Sequence, residues 1–244
     1  MMAGYGVLAL AALTFVALMF IDAPYGRHGR SGWGPTVPAT VAWVLMELPA
    51  VLLFIGVFVS GAHRAELVPL VLLGAWQLHY VHRTFVFPFV MPASSRRMPI
   101  LVMLMGATFQ VVNSWLNARF ISELGAYDPS WFTDPRFVVG ATLFLGGFVI
   151  NLKSDYSILR MKREAKGYVL PRGGLFDLVA APNYFGELVE WVGWALMTWS
   201  IPGLAFAVYT FANLAPRALA HRRWYRERFE DYPPERRAIV PYVL

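Results

Sequence analysis

Val41-Ala-Trp-Val-Leu-Met-Glu47-Leu-Pro49-Ala-Val-Leu-Leu-Phe54 is an apolar run with one carboxyl group sunk in it. It sits inside the segment 37–60, which is long enough to cross a bilayer, since ~20 apolar residues of helix span ~30 Å of hydrocarbon. Segments of the same kind recur at 5–21, 67–90, 99–121, 137–150, 178–199 and 202–214. The 137–150 and 202–214 runs are short, so their helices are expected to continue into the polar residues that flank them. Only Ser200-Ile201-Pro202 separates the last two runs, which marks a tight hairpin or a kink. The pattern reads as an all-α integral membrane protein of about seven transmembrane helices.

Composition points the same way. Of 244 residues, 57% are hydrophobic and 15% charged, with a mean hydropathy of +0.50. Soluble domains carry about 25% charged residues, and one modest core cannot bury so much apolar surface. With no cysteine, there is no disulfide, zinc–thiolate site or thiol nucleophile. The net charge of +6 raises nucleic acid as a partner, but no nucleic-acid-binding motif accompanies it. Its bases lie between apolar runs, where they set topology and meet phosphate.

Those bases alternate between loops. Arg27 and Arg30 follow the first run, Arg96 and Arg97 the third, and Lys153, Arg160, Lys162, Arg163, Lys166 and Arg172 the fifth. Arg217, Arg222, Arg223, Arg226, Arg228, Arg236 and Arg237 follow the seventh, and the intervening loops are poorer in base. Seven spans put every basic loop on one side, which by the positive-inside rule places the C-terminus in the cytoplasm and the N-terminus outside. With six spans the tail would oppose the other basic loops. The first run has no preceding base and a poor cleavage site at Ile21-Asp22-Ala23-Pro24, so it is read as a retained span and not a signal peptide. Residues 1–244 read as a single domain.

Polar groups at membrane depth are costly, and they locate the chemistry. Glu47 lies about a third of the way into its span, where hydrocarbon favours the neutral acid, a hydrogen-bond donor; Pro49 beyond it can kink the helix. In Gln77-Leu-His79-Tyr80-Val-His82-Arg83-Thr-Phe85, Gln77, Tyr80 and Arg83 share a helical face and the two histidines a neighbouring one. With no acidic or third ligand nearby in sequence, the histidines suit hydrogen bonding better than metal. The sixth segment opens Pro182-Asn183-Tyr-Phe-Gly-Glu187-Leu-Val-Glu190-Trp191, with an amide and two acids on one stripe facing a cavity or a polar helix seam. Asn151-Leu-Lys-Ser-Asp155-Tyr follows the fifth span. Arg217, His221 and Tyr225 fall along one face of the tail helix. Together the bases offer a cytoplasmic anion site. The glycine-rich stretch 25–35 does not match a dinucleotide fingerprint.

These motifs, in this order and nearly end to end, resemble the steroid 5α-reductase family. The most specific are His79-Tyr-Val-His-Arg-Thr-Phe85, Asn151-Leu-Lys-Ser-Asp-Tyr156, Asn183-Tyr-Phe-Gly-Glu-Leu-Val-Glu-Trp191 and Phe229-Glu-Asp-Tyr-Pro233. The resemblance implies an NADPH-dependent 3-oxo-5α-steroid 4-dehydrogenase with a cytosolic cofactor pocket and a steroid or sterol-like enone that enters from membrane lipid. It implies that Glu47 and Tyr80 hold the 3-keto oxygen and that Trp43 and Trp191 flank the steroid. Tyr25, Arg96 or Arg97, Asn151, Asp155, Arg163, Asn183, Glu187, Arg217, His221 and Tyr225 would line the NADPH site. Two positions depart from the family. Met46 stands where relatives can carry a polar residue, which bears on substrate preference. Val169 replaces a base before the Pro-x-Gly-Gly turn, so either Arg172 compensates at the cofactor phosphates or a contact is lost.

Hydride addition to the β-carbon of an enone leaves negative charge on its ketone oxygen, which two preplaced donors stabilise. A membrane methyltransferase of the isoprenylcysteine or phospholipid type is the nearest rival; methyl transfer has no use for paired Glu47 and Tyr80. A non-catalytic sterol-binding protein is the other rival, with no use for the cytosolic Arg, Asn and His array. A monomer without nucleic acid is expected, in the inner membrane of a bacterium or the endoplasmic reticulum of a eukaryote.

Overall fold

The computed structural model describes residues 2–24, 26–91, 97–165 and 169–244. Tyr25 and Arg96, both expected at the cofactor site, lie outside the described residues.

Proline and capping side chains set the helix starts. Asp134 accepts a hydrogen bond from the Arg136 amide just ahead of Pro135, and Ser200 accepts one from the Gly203 amide just ahead of Pro202. Both are N-cap arrangements with proline in the first turn. The helices are α1 (Met2–Phe20), α2 (Ala39–Val59), α3 (Leu67–Phe85), a short α4 (Phe87–Val90), α5 (Ile100–Arg119), α6 (Pro135–Glu164), α7 (Pro182–Thr198) and α8 (Ile201–Arg228). Among the described residues the protein is all-α but for two three-residue strands, β1 (Thr36–Pro38) and β2 (Arg97–Pro99), paired antiparallel.

The apolar runs of the sequence correspond to the long helices of the described residues. As expected, α6 and α8 run well past the apolar residues, to Glu164 and Arg228. At 1.5 Å per residue, α6 is ~45 Å long and outreaches the hydrocarbon. The 67–90 run is broken after Phe85, where Pro88 starts the new turn of α4. The 178–199 run begins as helix only at Pro182, because residues 174–177 form a 3-10 turn. Trp199, in the left-handed region at φ 43°, closes α7 and makes a tight turn into α8.

Among the described residues three stretches are long and apolar enough to cross a membrane by themselves: Ala39–Val59, Ile100–Leu124 and Pro135–Glu164, with mean hydropathies of 2.3, 1.3 and 1.6. Their outer faces carry Leu52, Ile55, Val111, Val112, Leu145 and Val149, all exposed, as helices facing lipid do.

The connections separate to two ends. At one end, β1–β2 joins the α1–α2 and α4–α5 connections, and the Ala180 amide donates to the Arg237 carbonyl, tying the α6–α7 connection to the C-terminal tail. Arg223 of α8 pairs there with Asp22. At the other end the His63 amide donates to the Ser122 carbonyl, and Tyr127 and Trp131 donate to the carbonyls of Thr198 and Met197. The base-rich connections therefore share one end of the bundle.

Without a hydrophobic driving force in lipid, helices hold together by close packing and polar contacts. The tightest seam is α6 against α7. Gly140 and Gly147 of α6, and Gly186 and Gly193 of α7, each recur after seven residues, and a Cβ at any of them would strike the backbone of the other helix. That contact sets Asn151 beside the start of α7 and Glu190 beside Gly147. An aromatic core of Phe54, Trp76, Trp191, Trp194 and Phe206 fills the space among α2, α3, α7 and α8.

Candidate active site

Glu47 lies eight residues into α2 and Gln110 ten residues into α5, ~12 and ~15 Å from the base-rich end by the helical rise. Tyr80 approaches from the opposite direction on α3. Gly106, one turn before Gln110, faces Met46, and a Cβ there would run into the Met46 thioether. The bare glycine lets α2 and α5 close up where Glu47 needs its partner. The Gln110 Nε2 donates to Glu47 Oε2 at 2.6 Å and to the Tyr80 hydroxyl at 3.3 Å. Tyr80 Oη is also 3.5 Å from Gln110 Oε1. All three side chains are buried. The structure thus brings Glu47 and Tyr80 to one amide.

Aromatic rings wall this cluster. Trp191 stacks on Tyr80 with centroids 5.7 Å apart, and Trp76 lies 4.8 Å from it. Behind Tyr80, His79 Nδ1 meets Glu190 Oε1 at 2.9 Å, with the two side chains 4% and 0% exposed. Glu190 is therefore the helix-seam member of the α7 stripe. His79 and His82 both serve as hydrogen-bond partners, His82 with the Tyr156 hydroxyl at 3.0 Å.

Toward the base-rich end a second polar cluster begins. Arg83 donates to Asp155 Oδ2 at 3.2 Å, and Asn183 donates to Asp155 Oδ1 at 2.9 Å. The Asn151 side-chain Nδ2 donates to the Asn183 backbone carbonyl at 3.0 Å. Arg83 also lies 5.1 Å over the ring of Trp43, so Trp43 abuts the polar cluster. Glu187, half-buried between Asn183 and Glu190 on α7, is within electrostatic reach of Arg83. Further out, Arg217 donates to the Tyr184 hydroxyl at 3.0 Å, and His221 stacks between Tyr184 and His28 at 5.3 and 5.5 Å. Tyr225 is buried and stacks on Tyr232 at 6.2 Å.

The remaining expected bases make other contacts. Arg97 donates to the Thr36 hydroxyl and carbonyl, Arg163 to the Val90 carbonyl, and Arg172 pairs with Asp231 on the surface. None of these contacts is with the Asn151–Asp155–Asn183 cluster.

Sequence reasoning passed over the inner face of α5. Its buried residues are Gln110, Asn113, Ser114, Asn117 and Ala118, all polar but one, while Leu104, Met105, Val111, Val112 and Trp115 are exposed. Asn117 accepts from the Trp194 indole at 2.8 Å and donates to Asn113. The signal was present in the i, i+3, i+4, i+7 spacing of four polar residues within an apolar helix, which a bilayer allows only toward the bundle interior.

Comparison with known proteins agrees with the motifs. A family model described as 3-oxo-5-alpha-steroid 4-dehydrogenase matches residues 96–244. The chain is 44% identical over 239 residues to a protein named steroid 5-alpha-reductase DET2 from Arabidopsis thaliana, covering 94% of this chain and 91% of the relative. It is 40% identical over 239 residues to 3-oxo-5-alpha-steroid 4-dehydrogenase 1 from Homo sapiens, covering 97% and 92% of the two chains. The corresponding protein from Bos taurus is 39% identical over 241 residues, covering 97% and 93%. Motifs, helices and relatives agree: the chain belongs to the steroid 5-alpha-reductase, or 3-oxo-5-alpha-steroid 4-dehydrogenase, family of oxidoreductases.

Proposed function

We propose that this protein reduces the 4,5 double bond of 3-keto-Δ4 steroids with NADPH. In this reading one domain, residues 1–244, crosses the bilayer seven times, with the N-terminus outside and the C-terminus in the cytoplasm. The observation that carries the reading is the meeting of Glu47 and Tyr80, from two helices, at one buried amide.

The cluster at the base-rich end suits a phosphorylated dinucleotide. Asn151, Asp155 and Asn183 offer amide and carboxylate groups for a nicotinamide ribose and carboxamide. Arg217, over the ring of Tyr184, offers a cation, and His221, stacked on the same ring, offers a flat face and a hydrogen-bonding nitrogen. Glu187 and Tyr225 border this set, and Arg97, Arg163 and Arg172 add bases at the same end; they would move from their present partners to reach a phosphate. When NADPH is bound, hydride is supplied from its nicotinamide to the enone β-carbon.

Glu47, as the neutral acid, and Tyr80 donate hydrogen bonds to the ketone oxygen. These strengthen as that oxygen becomes an enolate, so they stabilise the transition state more than the ground state. Trp191, stacked on Tyr80, and Trp43, beside Arg83, hold the ring system and exclude water from the donors. A proton from water at the α-carbon completes the reduction.

The test uses purified protein in lipid or detergent. NADPH absorbance is followed with testosterone, progesterone and a non-steroid enone, and the product is identified. Consumption of NADPH with a 5α-reduced steroid as product is expected, and S-adenosylmethionine should have no effect. Tyr80→Phe and Glu47→Met are expected to fold yet lower turnover by roughly 10²-fold each, the cost of a lost oxyanion donor. Near-normal turnover in both variants overturns the assignment.

A further inference from the structure

The Gln110 carboxamide bears on a question that the donor pair leaves open. A neutral carboxylic acid and a phenol are each both donor and acceptor. Left together in a dry pocket, they can donate to each other and leave no hydrogen for a substrate. A primary amide nitrogen carries two hydrogens and no accepting lone pair. The Gln110 nitrogen lies 2.6 Å from Glu47 Oε2 and 3.3 Å from Tyr80 Oη, within reach of both with one hydrogen each.

We infer that Gln110 is a positioning residue that sets the direction of the hydrogen bonds at the ketone seat: by donating to the accepting side of both Glu47 and Tyr80, it leaves each of them its own hydrogen to give to the substrate oxygen. The inference rests on the reading that Glu47 and Tyr80 hold that oxygen. With Glu47 Oε2 occupied as an acceptor, the acid proton belongs on Oε1. With Tyr80 Oη accepting from the amide, its hydroxyl hydrogen turns on the C–O bond between two acceptors. One is Gln110 Oε1, at a long 3.5 Å; the other is the incoming ketone. A contact that long is weak, so exchanging it for a ketone costs little, and the developing charge makes the exchange favourable.

The packing supports a dedicated role. Gln110 is almost wholly buried, on a helix whose outward face is apolar. The close approach of Gly106 to Met46, one turn away, helps bring its amide to Glu47. Met46 itself, next to Glu47 on α2, offers no N–H, so the donor to this carboxyl comes from α5.

The test is kinetic. Gln110→Met keeps the volume and removes both N–H donors; Gln110→Glu is near-isosteric and replaces them with acceptors. Both are expected to lower kcat roughly 10- to 100-fold, the range of a hydrogen bond to a group developing charge, while KM for the steroid changes little. The kinetic isotope effect with NADPH deuterated at the transferred position should rise, because hydride transfer becomes the slow step. In a Tyr80→Phe background Gln110→Met should cost less than in the native enzyme, since one of its two contacts is already gone.

A kcat within about twofold of native in the variant that folds, with an unaltered isotope effect, overturns the inference. So does a rise in KM at constant kcat, which would make Gln110 a lining residue, or an undiminished cost in the Tyr80→Phe background, which would make it structural. The parent reading fails separately: it is lost if Glu47→Met and Tyr80→Phe keep their turnover, whereas their loss of turnover beside active Gln110 variants sinks only the role of Gln110.

Discussion

His79 and Glu190 illustrate how a bilayer prices a single side chain. Both are buried, and the 2.9 Å contact between them links α3 to α7 directly behind Tyr80. Among the described residues Glu190 Oε2 has no hydrogen-bond partner, so the bond through Oε1 is what compensates its removal from water. His79→Leu should therefore destabilise the fold by about 3 kcal/mol, since an unpaired buried acid costs more than a lost pair. The double variant His79→Leu, Glu190→Leu should recover part of that. Unfolding in detergent followed by tryptophan fluorescence measures both, and a His79→Leu variant as stable as the native chain would contradict the argument. At this scale the chain was half legible. Glu47, Tyr80 and Glu190 stand out as acids and a phenol amid apolar residues, but their partners lie 63 residues away for Glu47–Gln110 and 111 for His79–Glu190. Helical periodicity carries no information about such pairs.

The α6–α7 seam gives the element scale its clearest test. Gly146 and Gly147 are neighbours on α6, yet a Cβ at Gly146 meets open space while one at Gly147 would strike the Glu190 backbone. Gly147→Ala should cost about 2 kcal/mol or more by overpacking and loosen the Asn151–Asn183 contact one turn on. Gly146→Ala, with room for its methyl on a helix, should instead stabilise by about 0.5–1 kcal/mol. Equal thermal stability of the two variants would contradict the packing. Helix positions were readable because a membrane helix must satisfy its backbone internally and so shows as an apolar run of fixed length. A helix boundary was readable where chemistry marks it, at Ser200-Ile201-Pro202. The break between α3 and α4 was not read, since the sequence around Pro88 is as apolar as the helix before it.

For the whole molecule, the proposed seven-span topology can be tested on a clean background, because the chain has no cysteine. Single cysteines at Ser31 and Glu235 should label with an impermeant maleimide only from the cytoplasmic side, and those at Ala65 and Asp128 only from the other. Labelling of all four from one side would overturn the topology. Hydropathy and charge alone determined that the chain is helical and membrane-bound, and that its bases collect in alternate connections. Those are properties of segments against their solvent, and each segment carries its own signal. Tertiary structure alone decided that Gln110 joins Glu47 to Tyr80, that Glu190 belongs to His79, and that glycines seven apart press α6 onto α7. These depend on which helix lies beside which, at what depth and in what rotation. That is a matter of close packing between surfaces, and no single segment records it.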